Sequence, residues 1–251
     1  MEEPFGKLCF DAEDAAAALA AGAQPAELVR ERHAEIVAAM GRTGYRSTWA
    51  FDPAHPWATT WPFLESIDDV RAYHAGIAIP DDVSWASLRD LGRHVRLDRK
   101  LHGSPGLRAS WWLMLHFRGL LFEVGRLQFE VLSDDELGIH VPATGPLDPT
   151  ACDDSIRRVR ELLGPRTMIC ESWLLDPALA EYLPAESNIL RFQRRFERLT
   201  EGDVDDRVVE LVFALRAPVD ELPQRTTLER AVVAHLRSGR RFVAPIGRLA
   251  L

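Results

Sequence analysis

Apolar residues recur at helical spacing through the first half of the chain, and change to strand alternation near residue 124. Ala15 to Ala21 is alanine-rich and Gly22 stops it, so a short helix is expected there. Pro25 suits the first turn of a second helix. In that helix Leu28, Ile36, Val37 and Met40 oppose Glu27, Arg30, Glu31 and Glu35, and Gly41 closes it. Thr43 to Pro62 is irregular, with Trp49, Phe51, Trp57 and Trp61 among Pro53, Pro56 and Pro62, and reads as a packed loop. Ser66 with Asp69 is a weak capping box for a helix ending at Gly76. After Ser84, Leu88, Leu91, Val95 and Leu101 mark another helix, whose Arg89, Arg93, Arg96 and Arg99 read as a solvated basic face. A last helix, largely buried, is expected from Pro105 to Phe122 around Trp111, Trp112, Leu115 and Leu120.

From Gly125 the period falls to two. Leu127, Phe129 and Val131 alternate with Gln128, Glu130 and Leu132, and Leu137 to Val141 follows the acidic turn Ser133 to Glu136, which predicts a hairpin. Pro149 opens a helix with Asp153 and Asp154 early and Arg157, Arg158 and Arg160 later, in the sense the helix dipole favours; Gly164 and Pro165 end it. Thr167 to Trp173 is the next strand, and Asp176 with Pro177 starts a short helix through Tyr182. Ile189 to Leu199 fits either period and is assigned to a strand, Val208 to Leu215 is a strand by its β-branched content, and Thr226 to Leu236 is a final helix. The expected order is ββαβαββα. The fold class is α+β: a helical N-terminal domain over 1–124, then a mixed sheet flanked by helices over 125–251.

Composition narrows the function classes. Hydrophobic content of 47% with 27% charged residues is that of a folded globular chain. A formal charge of −8 argues against nucleic acid, whose binders neutralise phosphate with basic side chains. No run approaches the roughly 20 apolar residues of a membrane span, and Glu2 and Glu3 stand where a secretory signal carries positive charge, so a cytoplasmic protein is expected. Cys9, Cys152 and Cys170 show no metal or redox spacing, and no metal is expected.

Serine-nucleophile, phosphate-loop, zinc-protease and dinucleotide motifs are all missing. Two polar side chains in strands stand out. His140, facing opposite to Ile139 and Val141, is either a general base lining a cleft or a structural histidine. Glu171 shares a face with Ile169 and Trp173 and either deprotonates an amine or pairs with an arginine. Cys170 reads as a small core residue. The loop Ala143 to Pro149 leads into a helix N-terminus, which suits an anion, although Asp148 as the cap opposes one.

Six segments carry a family resemblance: GRLQFE from Gly125, LGIHVP from Leu137, GPLDPTACDDS from Gly145, CESWLLDPALAEYLP from Cys170, SNILRFQRRF from Ser187 and LPQRTTLERAVVAHLRSG from Leu222. Together they resemble bacterial acyltransferase-domain proteins that join a helical N-acyltransferase N-terminal domain to a GNAT-like C-terminal domain. The resemblance implies an acyl-CoA N-acyltransferase fold with the donor thioester between two splayed parallel strands, here Leu137 to Val141 and Thr167 to Trp173. It implies direct attack by the amine of a small-molecule acceptor on acyl-CoA, acetyl-CoA or an acyl carrier protein, with His140 and Glu171 catalytic. Donor contacts are then expected from Val141, Pro142, Ala143, Thr144, Gly145, Ser172, Trp173, Asn188, Arg191 and Gln193. Asn188, Arg191 and Gln193 could equally cap a helix and tie down backbone. The 143–149 loop departs from the glycine-rich pyrophosphate signature of ordinary GNAT enzymes, and many relatives are expected to carry histidine where this chain has Glu171. A noncatalytic ligand-binding or scaffold role on the same fold is the alternative.

Overall fold

The structure is a computed structural model describing residues 2–45 and 49–250. Residues 46–48, within the expected packed loop, lie outside the described residues. The chain divides into two compact units, Met1–Val124 and Gly125–Leu251.

The first unit contains α1 (Glu2–Lys7), α2 (Ala12–Ala21), α3 (Ala26–Ala39), α4 (Trp61–Glu65), α5 (Ile67–Gly76), α6 (Asp81–Leu88), α7 (Asp90–His102) and α8 (Ser110–Phe117), then strand β1 (Leu121–Val124). Its core gathers Ile36, Phe63, Leu91, Val95, Leu113 and Phe117. The helix expected from Pro105 to Phe122 is shorter, because Gly119 takes φ +67° and a Cβ there would stand 2.4 Å from the Tyr73 ring. The chain therefore turns into β1, and Trp111 stays 52% exposed instead of joining the core.

The arginine face of α7 is also different from expectation. The backbone of residues 8–10 crosses α7 at Gly92, where a Cβ would lie 2.3 Å from the Leu8 carbonyl oxygen. That close approach carries the acids of α2 to the arginines. Arg96 donates to Asp11 at 2.9 Å, and Arg99 meets Asp11 at 2.9 Å, Glu13 at 3.1 Å and buried Asp14 at 3.0 Å. The face is an ion-pair seam, not a solvated surface.

The second unit contains β2 (Leu127–Val131), β3 (Glu136–His140), α9 (Pro149–Leu163), β4 (Thr167–Glu171), α10 (Asn188–Gln193), β5 (Phe196–Arg198), β6 (Asp203–Val204), α11 (Val208–Phe213), α12 (Thr227–Arg237), β7 (Val243–Ala244) and β8 (Ile246–Leu249). A mixed six-stranded sheet has the order β1-β2-β3-β4-β8-β5, and β6 and β7 form a separate ribbon. Strands β2 and β3 are antiparallel, β3 and β4 parallel, and β8 runs antiparallel between β4 and β5. Phe129, Leu137, Ile139, Met168 and Cys170 are buried on one face.

Three expectations are corrected here. Ile189 to Leu199 is two elements: Ser187 accepts from the Leu190 N–H and starts α10, and Phe196–Arg198 then pairs with β8. Val208 to Phe213 is helical, not a strand. The Asp205 side chain accepts from the Arg207 N–H and turns the chain into α11, which ends at Ala214 in the left-handed region. The order ββαβαββα thus lacked α10, α11 and the C-terminal strand β8. Helix α12 has the full capping box, with Thr226 accepting from the Glu229 N–H at 3.1 Å and Glu229 accepting from the Thr226 N–H at 3.0 Å.

Candidate active site

The parallel pairing of β3 with β4 runs only from Glu136↔Thr167 to Gly138↔Ile169. Beyond it β4 continues against β8, with Cys170↔Gly247 and Glu171↔Ile246. Ile139 and His140 on one strand and Cys170 and Glu171 on the other thus lie beyond the last β3–β4 pair, so the pairing stops before either strand ends.

Cross-strand partners share a face, so the register places His140 and Glu171 on the same side of the sheet, with the pair Gly138 and Ile169 before them. Strand β2 adds Gln128 opposite His140 and Glu130 opposite Gly138 on that side. His140 Nε2 and Glu130 Oε2 are 2.8 Å apart, a diagonal cross-strand pair with side chains 28% and 19% exposed. A carboxylate accepting from an imidazole N–H fixes the ring's orientation and which nitrogen carries the proton, an arrangement that general bases use. Glu171 is exposed and has no ion pair among the described residues. Cys170, on the opposite face, is pushed up to about 12 by burial and by the charge of Glu171, so its thiol stays protonated and unreactive.

The segment after β3 is the exposed loop 143–146, preceded by half-buried Val141 and Pro142. Asp148 caps α9 by accepting from the Ala151 N–H at 2.9 Å, and Pro149 has no N–H, so the cap and proline already occupy this helix end. Arg126, which sequence reasoning passed over, donates to three loop carbonyls: Pro142 at 3.0 Å, Gly145 at 2.7 Å and Pro146 at 2.8 Å.

After β4, Ser172 accepts from the Leu174 N–H at 3.1 Å, and Trp173 is buried edge-on against Phe242 with ring centroids 5.5 Å apart. Gln193 donates to the carbonyls of Leu174 at 2.8 Å and Asp176 at 3.0 Å, binding α10 to this segment. Arg191 points outward and pairs with Glu186 at 3.0 Å, and Asn188 opens α10 half-buried. The structure thus brings His140 and Glu171 together on one face, puts 141–145 directly after His140, and gives Ser172, Trp173 and Gln193 local structural bonds. A cleft of about 190 Å³ lies between Leu175, Pro177, Gln193, Phe196, Arg198 and Gly247. No group of three or more metal-binding side chains occurs among the described residues, and none of the described helices is long and apolar enough to cross a membrane.

Comparison with known proteins gives the following. Residues 2–119 match the N-acyltransferase N-terminal domain family and residues 121–249 the GNAT-like C-terminal domain family. Among solved structures the chain is similar to an acyltransferase in complex with decanoyl-CoA and teicoplanin. The identity is 34% over 98% of this chain and 86% of that one, with a TM-score of 0.91. An acyltransferase in complex with CoA and 10C-teicoplanin is 34% identical over 99% and 87%, with a TM-score of 0.92. A mutant acyltransferase in complex with octanoyl-CoA is 33% identical over 99% and 87%, with a TM-score of 0.91. No curated protein sequence matches the chain.

Proposed function

Because the chain belongs to the acyltransferase family that joins an N-acyltransferase N-terminal domain to a GNAT-like C-terminal domain, we propose that it moves an acyl group from acyl-CoA to the amine of a small molecule. The observation that supports this reading is that β3 and β4 stop pairing before either strand ends, with His140 and Glu171 on one face beyond the last pair; the gap between those unpaired ends is where the donor enters.

The pantetheine arm lies in the gap, its amides taking the backbone groups that β3 and β4 leave to one another. The phosphates of the donor lie at the loop 143–148. The acceptor amine attacks the thioester carbon, a C–N bond forms as the C–S bond breaks, the amine proton passes to His140, and the CoA thiolate leaves and is protonated from solvent. Glu130 holds the His140 ring in place and stabilises the imidazolium formed. Glu171, open to solvent on the same face, attracts the acceptor as an ammonium ion and takes its first proton, so that the free amine is the attacking species. No acyl-enzyme forms, in keeping with the buried, protonated Cys170.

The relatives bind decanoyl-CoA and octanoyl-CoA, so medium-chain acyl-CoAs are the first donors to try. The test is release of free CoA from decanoyl-CoA and acetyl-CoA in the presence of a panel of amines, including teicoplanin. Amine-dependent release that His140→Ala abolishes while calorimetric donor binding persists supports the proposal. Donor binding without turnover on any amine favours a ligand-binding role.

A further inference from the structure

Arg126 begins β2's approach to the sheet and is fixed at both ends. Its backbone N–H donates to Ser155 Oγ at 2.8 Å, and Ser155 Oγ donates in turn to the Ala151 carbonyl at 2.8 Å, so the residue is bonded to the second turn of α9. Gly125 before it makes this possible, because φ is +69° and a Cβ there would lie 2.8 Å from Ser155 Oγ. From that anchor the guanidinium reaches around to the segment ahead of α9 and takes the carbonyls of Pro142, Gly145 and Pro146.

Three carbonyls turned onto one guanidinium fix the direction of the peptides that carry them. In a trans peptide the N–H points opposite to the C=O, so the N–H groups of Ala143 and Leu147 point away from Arg126, out of the curl. The positive charge sits inside it. Arg195 brackets the other side of the same helix end, donating to the Pro149 carbonyl at 3.0 Å and pairing with Asp153. Both charges reach the first turn of α9: burial pushes the Cys152 thiol up, against the pull of Arg195 and then Arg126.

We propose that Arg126 is the positioning residue for the donor's phosphates, curling residues 142–146 around its guanidinium so that the N–H groups opposite those carbonyls face outward without a glycine-rich sequence. The inference rests on the reading of this loop as the donor-phosphate site. The two prolines of the segment, Pro142 and Pro146, have no N–H to offer an anion and serve the loop through their carbonyls, which accept from the arginine. Asp148 is spent on the helix end, so the loop ahead of α9, not the helix terminus, receives the anion.

The experiment compares two donors, an acyl-CoA and the matching acyl-pantetheine, which carries the thioester arm but no phosphate or nucleotide. With wild-type protein, KM for the acyl-pantetheine should exceed that for acyl-CoA by about tenfold or more. Arg126→Ala should raise KM for acyl-CoA by about tenfold and leave kcat/KM for acyl-pantetheine within about twofold, erasing the preference. Arg126→Lys keeps the charge and should recover only part of it, because an ammonium cannot span three carbonyls as a guanidinium does. Equal losses on both donors, or no loss on acyl-CoA in folded Arg126→Ala and Arg126→Lys proteins, overturn the role of Arg126. Wild-type protein that uses both donors equally well overturns the phosphate-loop reading itself, and the inference with it.

Discussion

Each unit of this chain builds a histidine onto a carboxylate, and the two constructions serve different ends. In the first unit Asp90 is 6% exposed and His116 wholly buried, 3.1 Å apart but off the line of a good hydrogen bond. Asp90 also accepts from Trp112 Nε1 at 2.7 Å and pairs with Arg93 at 3.1 Å, and Arg93 forks onto Glu123. Burial pushes the Asp90 carboxyl up, but the charges of His116 and His94 and the bond from Trp112 outweigh it and hold the group well below the usual carboxylate range. In the second unit Glu130 and His140 pair on a half-open sheet face beside the end of the β3–β4 pairing. A closed network cannot meet a substrate, so the first pair is structural. The second, in the function proposed, exchanges a proton with the acceptor.

The largest effect that would sharpen this contrast is on stability. Asp90→Ala removes the acceptor of Trp112 Nε1, one of the two carboxylates of Arg93 and the carboxylate 3.1 Å from wholly buried His116, and should cost about 3–5 kcal/mol in denaturant unfolding; a loss below about 1 kcal/mol would mean the network is incidental. Next is the pH response of the same unit. His74, fully buried, donates to or accepts from Ser84 at 2.8 Å, and burial, then the charge of His116, pushes it down to about 4. Because the folded value lies below the unfolded one, the unfolded chain binds more protons between the two. His74 therefore contributes stability that is complete above about pH 6.5 and falls by up to about 3 kcal/mol as pH drops toward 4. His74→Gln should flatten that slope, and an unchanged slope would assign it to other groups.

His140→Ala should lower kcat by about a hundredfold, close to 2.7 kcal/mol, with unfolding free energy altered by less than about 1 kcal/mol. The reverse result, a stability loss with turnover intact, would make the second pair structural like the first. The smallest effect is expected at the α12 capping box: Thr226→Ala should cost about 1 kcal/mol and no activity.

What could be read from the sequence follows how local each signal is. The caps of α9 and α12, the β2–β3 hairpin and the core of β4 depend on neighbours within a few residues, and their patterns are complete in the chain itself. Val208 to Phe213 and Ile189 to Leu199 are short apolar runs that periodicity cannot assign; Asp205 and Ser187, the side chains that start their helices, precede them. Strand β8 has no pattern of its own. Gly247 lies where a Cβ would come within 2.9 Å of both Leu175 and Phe196, and the strand exists because β4 and β5 offer edges to it. His140 and Glu171 became candidates because polar side chains in apolar strands call for a reason, and strand alternation gave the faces they take. Glu130 could have been found from the hairpin register, two residues diagonal from His140. Arg126 could not, since its three partners are carbonyls 16 to 20 residues away, which no side-chain pattern records.

The most direct test of the central claim is a crystal structure with decanoyl-CoA bound. The account predicts the pantetheine between Ile139–His140 and Cys170–Glu171, with the thioester carbon on the His140 face, so that an amine in attack position about 3–3.5 Å from that carbon meets the imidazole directly or through one water. A thioester lodged elsewhere, such as the cleft beside Leu175 and Phe196, with the gap between β3 and β4 closed, would contradict it.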